Sequence, residues 1–217
     1  RQMCIRDRIY SNIRSISLTL RIFKYKISLN KITIHKTKEG RGIMHYADIK
    51  KIDIANGEGV RVSLFVSGCR HHCKGCFNEI AWNFKYGKEF TQDTVDEIIK
   101  DLDHDYVEGL SLLGGEPLEP ENQEALAKLV TKVKEKYPNK NIWCYTGFDF
   151  EKDIMPECKT SAVTKQLISN IDVIVDGKFD ESKMDRKLKF RGSSNQRIID
   201  VKETLHDNAI KMVKFTD

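Results

Sequence analysis

Apolar and polar positions fall into two regimes along the chain. Through residues 1–43, short apolar runs alternate with Lys and Arg and end in a Gly-containing polar segment. This stretch reads as an N-terminal appendage, poorly ordered and outside the functional domain, with Met44 as a natural start and a basic docking arm as the alternative. From Val60 onward the pattern becomes strand, loop, helix, repeated. "VRVSLFV" (60–66) is β-branched and apolar and runs straight into a polar loop. Thr91 is a plausible N-cap, after which Val95, Ile98, Ile99 and Leu102 fall on one helical face.

"GLSLLGGEP" is a buried strand ending in two glycines, and Pro120 opens the next helix. Leu126, Leu129, Val130, Val133 and Tyr137 form the apolar stripe of that helix, and Lys132, Lys134 and Lys136 suit its C-terminal dipole before Pro138. "NIWCYTG" (141–147) is the third strand. A helix over Ala162 to Ile168 leads into "IDVIVDG" (171–177), the fourth. Strands alternating with helices predict parallel pairing and α/β architecture. Four strands, with two more at the ends, are too few for a closed eight-stranded barrel, so an open, partial β/α barrel of five to six mostly parallel strands is expected.

Net charge changes this picture only locally. Residues 1–43 carry eleven Lys or Arg against Asp7 and Glu39, which leaves 26 basic and 30 acidic side chains for residues 44–217. The acidic portion therefore lacks the broad basic surface of a nucleic-acid binder. No apolar run approaches a membrane span, no secretory signal is evident, and a cytoplasmic protein is the expectation.

Cysteine usage points to chemistry. Cys4, Cys69, Cys73, Cys76, Cys144 and Cys158 are spaced nothing like a disulfide framework, and three of them form CxxxCxxC at Cys69, Cys73 and Cys76. A closed zinc site needs four ligands, and His71 or His72 is near enough in sequence to be considered as the fourth. A [4Fe–4S] cluster on three cysteines instead keeps one iron free for another ligand. The loop follows the first strand, where active sites of β/α folds collect, and Gly68 and Gly75 let it wrap tightly. Both histidines otherwise read as solvated, Cys144 as a core residue, Cys158 as lying in a polar loop, and Trp82 and Trp143 as packing residues.

The triad followed by "GGEP" at Gly114, Gly115, Glu116 and Pro117 resembles the radical S-adenosylmethionine (SAM) superfamily. "NGEGVRVSLFVSGCRHHCKGCFNEIAW", "LSLLGGEPL", "IWCYTGF", "VDGKF" and "RGSSNQR", in that order, narrow the resemblance to activating proteins of anaerobic (class III) ribonucleoside-triphosphate reductases. The resemblance covers residues 44 to 197 and nothing before them. One departure is "NGEG" at 56–59, where related activases often have NGPG, and Glu58 is expected to loosen that turn.

The resemblance implies a [4Fe–4S] cluster on Cys69, Cys73 and Cys76 whose open iron chelates the methionine moiety of SAM. It implies SAM contacts at Gly75, Cys76, Phe77, Gly114, Gly115, Glu116, Thr146 and Asp176, with no catalytic residue beyond the cluster. Glu116 is expected to accept from the SAM ammonium, while Asp176 reads equally as a SAM contact or half of an ion pair with a structural role. The implied reaction is reductive cleavage of SAM to a 5′-deoxyadenosyl radical that generates a glycyl radical on the reductase large subunit. A low-potential donor such as flavodoxin is the second implied partner. Alternatives are an activase of the pyruvate formate-lyase type, a small-molecule enzyme of the 7-carboxy-7-deazaguanine synthase type, and a zinc-binding interaction module without turnover.

Overall fold

The four apolar runs lie side by side at the centre of one seven-stranded sheet in the computed structural model, which describes residues 42–215. In chain order the strands are β1 (His45–Asp53), β2 (Val60–Val66), β3 (Lys88–Glu89), β4 (Val107–Gly114), β5 (Asn141–Tyr145), β6 (Val173–Asp176) and β7 (Arg197–Asp200). The helices are α1 (Gln92–Asp101), α2 (Pro120–Lys136), α3 (Met155–Thr160), α4 (Ala162–Ser169) and α5 (Val201–Asp207). As far as Arg41, the basic extension lies outside the described residues.

Sheet order is β3-β1-β2-β4-β5-β6-β7. Strands β2, β4, β5 and β6 pair in parallel, whereas β1 runs antiparallel to β2 and β3, and β7 antiparallel to β6. The result is an open α/β sheet with antiparallel margins, with more strands and fewer parallel pairs than the sequence led us to expect. The added margin is β1, "HYADIKKID", whose outward positions carry Lys and Asp. Such a marginal strand, flanked on its outer side only by the two-residue β3, lacks the continuous apolar run that marks a parallel strand buried on both faces.

Alternation along the strands separates two faces. Val62, Leu64, Leu110, Leu112, Ile142, Cys144 and Ile174 belong to the main core, together with Ile98, Leu102, Leu126, Leu129, Val130, Val133 and Leu167 from the helices. Thr91 caps α1 and Pro120 opens α2, as expected. The opposite face carries Arg61, Ser63 and Ser111 beside a smaller apolar cluster of Trp143, Val173, Val175 and Ile198. Among the described residues no helix is long and apolar enough to cross a membrane.

Arg61 is fully buried and satisfied almost entirely by neutral acceptors. It donates to Ser111 Oγ (2.7 Å) and to the carbonyls of Glu58 (3.0 Å), Leu110 (2.9 Å) and Asn141 (3.1 Å). Burial pulls its pKa down to about 10. The same contacts pin the NGEG turn, because the Asn56 carbonyl accepts from Ser111 and the Asn56 amide donates to Asp53. The turn that carries Glu58 is thus tethered to Asp53, Arg61 and Ser111.

Asp172 ties helices to the sheet. Burial alone would raise its pKa, but Lys134 (2.6 Å), Lys202 (2.5 Å) and the Ile142 amide (2.7 Å) hold the carboxyl below its ordinary value. A depressed carboxylate stabilises the fold above its unfolded-state pKa, near 4, and loses that contribution as pH falls through the folded value. The melting temperature should fall between about pH 5 and 3, and Asp172→Asn should flatten that part of the profile in a thermal-denaturation series.

Candidate functional site

Two loops at the C-terminal ends of neighbouring parallel strands build the site. The first leaves β2 at Val66 and carries Cys69, Cys73 and Cys76; the second leaves β4 as Gly114, Gly115, Glu116 and Pro117. Gly68 takes φ +96°, and a Cβ there would lie 2.3 Å from the Phe84 ring, so only glycine fits the approach. The cysteine loop then folds back on the short 3-10 turn Glu79–Trp82 through Gly68 N–H to Ala81 O (2.8 Å) and Cys69 N–H to Trp82 O (3.2 Å).

Backbone bonds lace the loops together. Gly115 N–H donates to Val66 O (2.7 Å) and Glu116 N–H to Gly68 O (2.8 Å). A Cβ on Gly114 would lie 2.7 Å from the Phe65 backbone, and one on Gly115 would lie 2.6 Å from Gly68 O. Both glycines thus have a reason to be glycine in the loop-to-loop contact itself.

Side chains complete the clamp. Glu116 is buried, with Oε2 accepting from His71 Nε2 (2.9 Å) and from Gly147 N–H (2.7 Å), and Oε1 accepting from Leu118 N–H (2.9 Å). Glu119 accepts from the backbone N–H (2.8 Å) and guanidinium of Arg70. Two consecutive residues between Cys69 and Cys73 are therefore held by carboxylates from the second loop. His71 is not solvated, as the sequence led us to read it; its side chain is 9% exposed and its ring packs edge-on against Phe148 at 4.6 Å. His72 is exposed and rests against Trp82 at 4.5 Å.

A cavity of about 360 Å³ opens beside the loops, within the roughly 300–1,000 Å³ span of small-molecule sites. Cys69, Cys73, Cys76, Phe77, Gly114, Gly115 and Thr146 all line it. Gly75, Glu116 and Asp176 are not among its lining residues. Gly75 turns the cysteine loop at φ +73° close to Glu181. Asp176 is a buried ion-pair partner, accepting from Arg197 Nε (3.0 Å) and Nη2 (2.5 Å) and from Phe150 N–H (2.9 Å).

Burial pushes the Cys69 thiol up to about 11, and the carboxylates of Glu116 and Glu119 add to the rise. Burial raises Cys73 as well, against the opposing field of Lys178. A bound cation reverses this penalty, because metal coordination deprotonates a thiol outright. The donor set of three thiols lining one cavity with aromatic walls suits an iron–sulfur cluster on these grounds. Among the described residues, no group of three His, Cys, Asp or Glu side chains is drawn together as around a single metal ion.

Sequence reading missed several cavity residues. Tyr145, Phe179, Leu188 and Phe190 line the wall, and Trp82, read as packing, does so too. Phe190 adopts φ +55°, unusual for an aromatic residue, and its ring meets Trp143 at 5.4 Å. Only the apolar alternation of "LKF" could have flagged this segment. Cys144 is buried in the core as expected, whereas Cys158 lies in α3, half-buried against the core, and not in a polar loop.

Comparison with known proteins agrees with this geometry. A family model described as a 4Fe-4S single cluster domain matches residues 55–199. The anaerobic ribonucleoside-triphosphate reductase-activating protein of Enterobacteria phage T4 is 43% identical over 155 residues, covering 71% of this chain and 93% of that protein. Its namesake from Pasteurella multocida is 41% identical over 157 residues, covering 71% and 96%. That from Escherichia coli K12 is 41% identical over 155 residues, covering 70% and 96%. With similarity spanning both loops and nearly the whole length of these relatives, the chain belongs to the family of anaerobic ribonucleoside-triphosphate reductase-activating proteins.

Proposed function

We propose that this chain cleaves SAM reductively and installs a glycyl radical on the large subunit of an anaerobic ribonucleoside-triphosphate reductase. The observation that carries this reading is the single cavity shared by Cys69, Cys73, Cys76, Gly114, Gly115 and Thr146, in a chain whose relatives are named for activating that reductase. Cys69, Cys73 and Cys76 would hold a [4Fe–4S] cluster, which would supply the single electron for reductive cleavage of SAM to methionine and the 5′-deoxyadenosyl radical that would take a hydrogen atom from the glycine.

In this reading the three cysteine thiolates hold the cluster. Gly114 and Gly115 offer backbone to the methionine moiety, and Phe77 and Thr146 border the remainder of SAM. Glu116 acts through the cysteine loop that it clamps, and Asp176 acts from behind the cavity wall through Arg197. Leu188, Phe179 and Phe190 exclude water from the reacting atoms. We read the open sheet as a partial β/α barrel of the radical SAM type, whose open side admits a loop of a protein substrate.

Plant-type iron–sulfur centres lie near about −400 mV, so an external low-potential donor such as flavodoxin is required. The proposed compartment is the cytoplasm, where thiols remain reduced. Residues 44–217 are proposed to suffice for the reaction. Truncating residues 1–43 should leave radical yield within about twofold of the full chain, and a large loss would assign the extension a working role.

The deciding experiment mixes reconstituted protein, SAM, reductant and reductase and follows electron paramagnetic resonance. A glycyl-type doublet on the reductase is the expected result. SAM cleavage without that doublet would redirect the activity to a different glycyl radical enzyme or a small molecule. One zinc and no labile sulfide after anaerobic reconstitution would end the radical reading altogether.

A further inference from the structure

The hairpin at the cavity carries exposed cations that SAM chemistry does not use. Residues 184–193 form a hairpin closed by the Met184–Ser193 bridge and by Asp185 N–H to Gly192 O (3.3 Å). Leu188, Phe190 and Arg191 line the cavity, whereas Arg186, Lys187 and Lys189 are exposed. Arg186 and Lys187 have no carboxylate partner among the described residues. Phe190 is held in the left-handed region with its ring against Trp143, and strain of this kind persists where a site requires it.

Two exposed apolar side chains also lie in or next to the cavity lining. Phe77 is 90% exposed although it lines the cavity, and Ile54 is 74% exposed beside Ala55, another lining residue. An aromatic and aliphatic collar bordered by charge is the composition of a protein interface, not of a metabolite pocket, whose polar groups point inward.

We propose that the 184–193 hairpin, together with Phe77 and Ile54, is the docking rim for a polypeptide loop of the protein substrate, with acidic residues flanking the segment that enters the cavity. This rests on the reductase-activating reading above and adds where the partner sits and what charge it presents. The cavity-lining apolar side chains receive the loop tip, and the exposed cations meet its acidic flanks. Charge complementarity of this type acts mainly on encounter and affinity and weakens with added salt.

The test is the double variant Arg186→Glu/Lys187→Glu in the full chain. With dithionite as reductant, its affinity for the reductase large subunit at low ionic strength should fall about tenfold or more, and that difference should shrink as salt is raised. SAM cleavage without the reductase should stay at the wild-type rate, and the glycyl doublet should recover at saturating reductase. Unchanged affinity would overturn the proposal. So would a defect seen only when a flavodoxin-type protein replaces dithionite, because the rim would then serve the electron donor. If wild-type protein held no cluster, the reductase-activating chemistry would fail, yet affinity of the cluster-free chain for the large subunit would still decide the rim.

Discussion

Cys73→Ala should reduce bound iron and labile sulfide to a small fraction of the wild-type content and abolish the glycyl doublet. Changing groups that merely orient a metal ligand typically costs 10–100-fold in affinity or activity, so removal of a ligand itself should cost at least about 100-fold here. Its thiol lines the cavity and accepts from the Phe179 backbone, and burial keeps it protonated until a cation arrives. The informative control is Cys144→Ala. That side chain is fully buried in the main core, so its loss should cost about 1 kcal/mol of stability and no iron. Retention of the doublet by Cys73→Ala would refute the three-cysteine ligand set.

Glu116→Ala should destabilise the protein by about 3–5 kcal/mol even with no cofactor present. The substitution strands the N–H groups of Gly147 and Leu118 and the ring nitrogen of His71 in a buried place, and each orphaned group costs about 1–3 kcal/mol. Denaturant unfolding of the cofactor-free protein separates this from direct SAM recognition. A carboxylate whose main task is to meet the SAM ammonium would leave unfolding unchanged and weaken only SAM binding. The bonds around Glu116 favour the first outcome, with SAM affinity lost secondarily as the cysteine loop slackens.

Much of the sheet was legible because its four parallel strands are buried on both faces and so read as continuous apolar runs. "VRVSLFV" and "IDVIVDG" announced themselves in this way, and Thr91 and Pro120 marked helix starts by local chemistry alone. The margins were hidden for the converse reason: β1 is half solvated and rich in Lys, and β3 has two residues. At the site, spacing identified the thiols and glycines that share the cavity. It could not reveal that Glu116 would spend its oxygens on His71 and two backbone amides, because His71 and Gly147 come from segments far away in sequence. Summing charge over the acidic portion likewise concealed the cationic hairpin, whose Arg186, Lys187, Lys189 and Arg191 fall within a few residues of one another.

The lacing of the two loops also sets an order of maturation. His71 and Glu116 are 45 positions apart, and their carrier strands must first pair through the Val66–Gly114 register. Closing so long a stretch is an entropic cost that β2–β4 pairing has to meet before the proposed ligand set takes shape.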